Sequence, residues 1–162
     1  MKKLRIHLDT SVISFLFADD APEKRDITIR FFHGWVATGR YETAISPVVV
    51  REIERTKHED ERTRLLGVIV DYSLKSVPLD PREEVADLAD AYVAARVIPR
   101  KKYEDALHIA LCTVREMDVL VSWNYQHLAN VNKERRIMAV NQSLGYYYPL
   151  RITTPLEVMG EG

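Results

Sequence analysis

The chain has 162 residues, 46% of them apolar and 29% charged, with a net charge of -1, which is the profile of an ordinary globular domain with one core. That balance excludes a protein that coats polyanions through its overall field, so any nucleic-acid contact must come from a local patch. The lone cysteine, Cys112, sits among apolar neighbours and reads as packing; it excludes an internal disulfide and a cysteine-built zinc cluster.

Arg5 to Leu8 alternate and run into Asp9, with Thr10 and Ser11 next and Val12, Ile13, Leu16 and Phe17 at helical spacing. This predicts a strand ending on Asp9, then a hydroxyl-capped helix. Ala21 to Ala37 carries Pro22 near its start and Gly39 just past its end, the polarity of a helix. Tyr41 to Ser46 alternates and reads as a second strand, and Pro47 opens a helix through Val48, Val49 and Ile53. His58 to Tyr72 reads as helix, and Ser76 to Leu79 as a short edge strand, because Pro78 cannot donate to a ladder. Pro81 begins a helix that ends by Pro99. Tyr103 to Met117 is apolar nearly all round and predicts a central helix.

Val119 to Ser122 reads as a buried strand, and 124–132 as a loop or short turn. Glu134 to Leu144 reads as helix, Arg151 to Thr153 as a last strand, and Pro155 to Val158 as a final turn. Strands alternating with helices predict a three-layer α/β/α sandwich with a mostly parallel sheet of four or five strands, the first strand central. No repeat, low-complexity tract or Gly/Ser-rich linker divides residues 1–162, so a single domain is expected. Met-Lys-Lys followed by a polar-interrupted strand is not a signal peptide, and no apolar run approaches the ~20 residues that span a bilayer. A cytoplasmic location without membrane contact is therefore expected.

A parallel sheet gathers its ligand-binding loops at the carboxyl ends of its strands. Asp9 ends the first strand, Glu52 lies early in the helix after the second, Asp105 opens the central helix, and Asn124 follows the fourth strand. Taken singly, these are ordinary cap or helix-start residues. Together they predict three carboxylates in one crevice, which repel one another unless a cation joins them. Hard oxygen ligands without cysteine suit Mg²⁺ or Mn²⁺, and Mg²⁺ held by carboxylates is a phosphoryl-transfer arrangement.

Four segments, Leu8 to Ile13, Ser46 to Ile53, Asp105 to Ala110 and Val119 to Asn124, in this order and spacing, resemble PIN-domain proteins. These are metal-dependent ribonucleases, many of them VapC-type toxins of toxin–antitoxin pairs. The likeness spans nearly the whole chain and ends on Ile152-Thr153-Thr154-Pro155. It implies a PIN-like fold, an RNA substrate, a homodimer and a cognate antitoxin. It places the three acids on Asp9, Glu52 and Asp105, and the hydroxyl that supports the metal waters on Thr10 or Ser11. The fourth position, usually Asp, is here Asn124, which brings a carbonyl oxygen but no charge and favours one firmly held metal over two. The alternatives are a PIN-fold nucleic-acid or partner-binding module without turnover, and a metal-dependent phosphatase.

Further residues carry weaker signals. Glu104 and His108 are one helical turn apart and could share a metal, although a histidine on an apolar helix is more often packed. His127 could touch a phosphate. Arg51, Arg55, Lys57, Arg100, Lys101 and Lys102 could line a groove for RNA phosphates, and Trp123 and Tyr125 could stack on bases. Phe31, Phe32, Trp35 and Tyr146 to Tyr148 exceed what a small sheet clearly needs to cover it, which is the residue-level argument for a dimer.

Overall fold

The computed structural model describes residues 2–124 and 130–161. Among the described residues, five strands form one sheet: β1 (Arg5–Leu8), β2 (Glu42–Ile45), β3 (Lys75–Ser76), β4 (Val119–Val121) and β5 (Arg151–Thr153). Their order is β3-β2-β1-β4-β5, every neighbouring pair is parallel, and β1 is central as expected. The helices are α1 (Thr10–Ser14), α2 (Pro22–Phe31), α3 (Pro47–Glu54), α4 (Glu59–Asp71), α5 (Arg82–Ala94), α6 (Tyr103–Val114), α7 (Val131–Ser143) and α8 (Pro155–Glu161). A 3₁₀ turn, Phe15–Phe17, extends α1, and a π-helical turn, Phe32–Val36, extends α2.

Strand alternation divides the core between the two faces of the sheet. Ile6, Leu8, Ile45, Val119 and Val121 pack with α1 to α4 and α8, whereas Ala44, Leu120 and Ile152 pack with α5 to α7. These are the three layers predicted from the alternation of elements. The α6 segment is buried almost all round, from Ala106 through Thr113. Among the described residues, no helix is long and apolar enough to cross a membrane.

Helix starts follow local chemistry. Ser46 caps α3, its Oγ accepting from the Val48 amide at 3.2 Å, and Pro47 occupies the first turn, where an amide would lack a partner anyway. Several boundaries differ from the sequence expectation. The α7 helix begins at Val131, three residues before Glu134, because the Asn130 side chain caps it by accepting from the Lys133 amide at 3.1 Å. Pro155 to Glu161 is a helix rather than a turn. Thr154 and Glu157 bond reciprocally there, the Glu157 amide to Thr154 Oγ1 at 3.2 Å and the Thr154 amide to Glu157 Oε1 at 3.3 Å, which is a capping box. The edge strand lies at Lys75–Ser76; the Val77 amide still reaches Ile45 O at 2.8 Å, and Pro78 then stops the ladder.

The aromatic residues that argued for a dimer are largely internal. Phe31 and Phe32 are fully buried, the Phe32 ring lying 4.9 Å from that of Tyr72 at a 55° tilt, and Trp35 is half-buried beneath Arg40. Of the three tyrosines only Tyr147 is widely exposed, and Tyr148 bonds Asp118. Asp118, just before β4, lies at the far end of the sheet, where its Oδ2 accepts from the Arg5 amide at 2.7 Å.

Candidate functional site

The strands β1 and β4 end side by side, joined where the Asp9 amide donates to Val121 O at 3.2 Å. Asp9 occupies the cap position of α1, yet its carboxylate makes no capping hydrogen bond. Instead it accepts from Ser11 Oγ at 2.5 Å, and Ser11 Oγ accepts from the Trp123 amide at 2.9 Å. Ser11 thus ties the exits of β1 and β4 together through Asp9. Ser122 adds a second side-chain hydrogen bond to Asp9 and accepts from the Asn124 amide at 2.9 Å. Asp9 is only 4% exposed. Burial raises its pKa, and the charge of Glu52 adds to that, while His108 and the two serines pull it back; the net direction is upward.

Glu52 lies in the second turn of α3 and leans toward α1 and α6. Its Oε1 accepts from Thr10 Oγ1 at 2.8 Å and pairs with His108 Nε2 at 3.0 Å. Burial alone would raise the Glu52 pKa, but His108, Thr10 and Arg55 outweigh it and hold the carboxyl below its usual range. His108 is the complement: burial alone would lower its pKa, yet the bond to Glu52 and the charges of Asp9, Glu52 and Asp105 raise it.

Asp105 lies in the first turn of α6, three residues before His108, so one face of that helix presents both. Burial first, then the charges of Asp9 and Glu52, push the Asp105 pKa from the usual 3.8 to about 6, against the pull of His108 and Lys102. Asn124 Nδ2 donates to Asp105 Oδ2 at a long 3.4 Å. The structure therefore brings Asp9, Glu52, Asp105 and Asn124 to one sheet edge, with Thr10 and Ser11 between them.

The carboxylates share a field but not a coordination shell. Among the described residues, no three His, Cys, Asp or Glu side chains stand as a group that could hold a metal ion. The donor chemistry nonetheless fits a hard divalent cation. Its donors are carboxylate and amide oxygens, and beyond burial the charge of Glu52 adds to the raised pKa of Asp9 and the charges of Asp9 and Glu52 add to that of Asp105. Glu52 and Asp105, both only half-buried, are the side chains with room to close the shell.

A cleft of about 290 Å³ opens beside them, lined by Glu52, Arg55, Lys101, Lys102, Glu104 and Asp105. Three of the six basic residues singled out in the sequence thus face the site; Arg100 instead lines a separate cavity with Asp90 and Tyr103. Glu104 and His108 do not share a site, because Glu104 pairs with Arg55 while His108 pairs with Glu52. Trp123 is 4% exposed and donates from Nε1 to Thr28 Oγ1 at 2.9 Å, so it packs the core and is no stacking platform. Tyr125 and His127 lie outside the described residues.

Sequence reasoning undervalued two histidines. His108 is 1% exposed and His7, on β1, is fully buried with its ring 5.5 Å from that of His108. Burial, and then the proximity of His108, hold His7 well below its usual pKa and so neutral. The available signal was position: His7 is two residues before Asp9, and His108 is one turn after Asp105.

No protein-family model matches the chain, and no curated protein matches it. Among solved structures, the chain is similar to a member of the VapBC family of toxin–antitoxin systems, VapBC-5, from Mycobacterium tuberculosis. The likeness covers 91% of this chain and 96% of that one, at 14% identity and a TM-score of 0.48.

Proposed function

We propose that this protein is a divalent-cation-dependent endoribonuclease. The observation that carries the reading is the convergence of Asp9, Glu52, Asp105 and Asn124 at the carboxyl edge of a parallel sheet, beside a cleft walled by Arg55, Lys101 and Lys102. Asp9, Glu52, Asp105 and the Asn124 amide oxygen would hold Mg²⁺ or Mn²⁺. When bound, that ion activates a water and neutralises charge developing on the phosphate oxygens.

The chain's own residues have separate tasks. Ser11 and Ser122 hold the Asp9 carboxylate in place, Thr10 holds Glu52, and the basic residues of the cleft meet the phosphates of an RNA strand. By its resemblance to PIN-domain toxins, the protein would act in the cytoplasm as a homodimer and be restrained by a cognate antitoxin.

One observation favours a second reading, a binding module without turnover. The fourth position carries Asn124, whose amide donates to Asp105, and the carboxylates are satisfied in part by their own hydroxyl neighbours. The deciding experiment is cleavage of a generic unstructured RNA across a Mg²⁺ and Mn²⁺ titration, for the parent and Asp9→Asn. Metal-dependent cleavage lost in Asp9→Asn is expected. RNA retention without cleavage would favour the binding module, and faster hydrolysis of a small phosphate ester would favour a phosphatase.

A further inference from the structure

Glu52 is carried on α3, as Asp105 is on α6, whereas Asp9 sits at a strand exit, and its longer side chain needs something to aim it. Two donors do this, Thr10 from α1 at 2.8 Å and His108 from α6 at 3.0 Å, and both land on Oε1. Among the described residues no hydrogen bond falls on Oε2. Anchoring one oxygen of a carboxylate leaves the other directed and free for a ligand, the arrangement by which outer groups tune metal-binding acids.

His108 is well made for that task. Its ring is buried, which removes rotational freedom, and it packs at a 56° tilt against the buried ring of His7. Its Nδ1 has no partner among the described residues, and neither do the two ring nitrogens of His7. The bond to Glu52 is thus the one hydrogen bond the His108 ring makes among those residues. An imidazole buried at this cost is kept for the contact that offsets it. Because His108 and Asp105 share one face of α6, the same helix supplies one acid and orients another that lies 56 positions earlier in the chain.

We infer that His108 is a positioning residue: its Nε2 holds Glu52 Oε1 so that Oε2 faces the crevice, and cation binding depends on that bond. The inference rests on the metal-binding reading above. It identifies an interaction, not a volume, and amide substitutions separate the two. A glutamine amide nitrogen can stand in the place of histidine Nε2, whereas an asparagine amide nitrogen stands near the place of Nδ1 and cannot reach Glu52.

The test measures Mn²⁺ affinity by calorimetry for the parent, His108→Gln, His108→Asn, His108→Ala and Thr10→Val, each checked as folded by its circular dichroism melt. His108→Asn and His108→Ala are expected to weaken binding by about 10- to 100-fold, the usual cost of losing an outer-shell partner, with Gln much closer to the parent. Thr10→Val removes the other donor from the outside of the core and should weaken binding in the same direction. Equal affinity in all variants would overturn the inference, and so would Gln falling with Asn and Ala. A metal-free readout separates this from failure of the functional reading. The Glu52 carboxyl carbon resonance, identified by its loss in Glu52→Gln, should stay in place in His108→Gln and move in His108→Asn and His108→Ala. If the parent binds no Mn²⁺, the metal reading fails while this resonance still decides whether His108 positions Glu52. A resonance unmoved in every variant would overturn the positioning role.

Discussion

Two buried polar clusters in this molecule have opposite accounts. Between α5, α6 and α7, Tyr92, Thr113 and Asn141 close a ring: the Tyr92 hydroxyl donates to Asn141 Oδ1 and lies 3.3 Å from Thr113 Oγ1, and Asn141 Nδ2 donates to Thr113 Oγ1 at 3.2 Å. All three are neutral there, and burial holds the Tyr92 pKa far above its usual value. At the sheet edge, Asp9 and Asp105 are held above their usual pKa by burial and by neighbouring acids, and buried histidine nitrogens lack partners among the described residues. The first cluster is satisfied internally and stabilises the packing of three helices. The second keeps an electrostatic cost in the folded state that a cation would relieve.

Breaking the satisfied ring should have the largest effect. Asn141→Ala leaves the Tyr92 hydroxyl and Thr113 without their buried partner and should cost about 2–4 kcal/mol of stability, read by urea denaturation, with Mn²⁺ affinity unchanged. A loss under half of that would mean that the ring is not the structural counterpart described here.

Removing charge from the crevice should do the reverse. With the folded Asp105 pKa near 6 and the usual value at 3.8, the group is protonated in both states below about pH 4 and costs nothing there. As the pH rises toward 6 the unfolded chain ionises first, so stability is lost through that window and the loss is constant above it. Asp105→Asn should therefore be more stable than the parent by about 2 kcal/mol at pH 7.5 without metal, with the gain fading below about pH 4. Equal pH–stability curves for the two proteins would contradict the raised pKa.

A smaller effect sharpens the role of Asn124. Asn124→Asp replaces a donor to Asp105 with a like charge, so the metal-free protein should lose about 1 kcal/mol. With Mn²⁺ present the added carboxylate supplies ligand charge, and the variant should then gain more stability from the ion than the parent does. Matching melts in both conditions would make Asn124 a turn residue and nothing more. The smallest effect is expected of Lys101→Ala with Lys102→Ala. Stability should stay within about 0.5 kcal/mol, while RNA affinity falls and its dependence on salt weakens.

The sequence made the frame legible wherever one residue and its close neighbours decide the outcome. The alternation before Asp9, the Ser46-Pro47 helix start and the all-round apolar α6 each imply their element and their place. Two local signals were present and passed over, Asn130 as the cap of α7 and the reciprocal Thr154–Glu157 pair at α8. What no local pattern could give is pairing across distance. His108 finds Glu52, Trp123 finds Thr28, and Arg55 takes Glu104 away from the histidine one turn along. Each of these contacts depends on which helix faces which, a property of the packed layers and not of any window of sequence. The same limit explains why Phe31 and Phe32 looked surplus to a small sheet: their partners, Tyr41 and Tyr72 just past α4, are brought to them only by the fold.

The most direct test of the claim that the crevice binds a cation is thermal melting across a Mn²⁺ titration, for the parent and for Asp9→Asn combined with Asp105→Asn. The parent should start less stable than the double variant and rise steadily with Mn²⁺ by mass action, while the double variant stays flat. Identical, metal-independent melts for the two proteins would contradict the account.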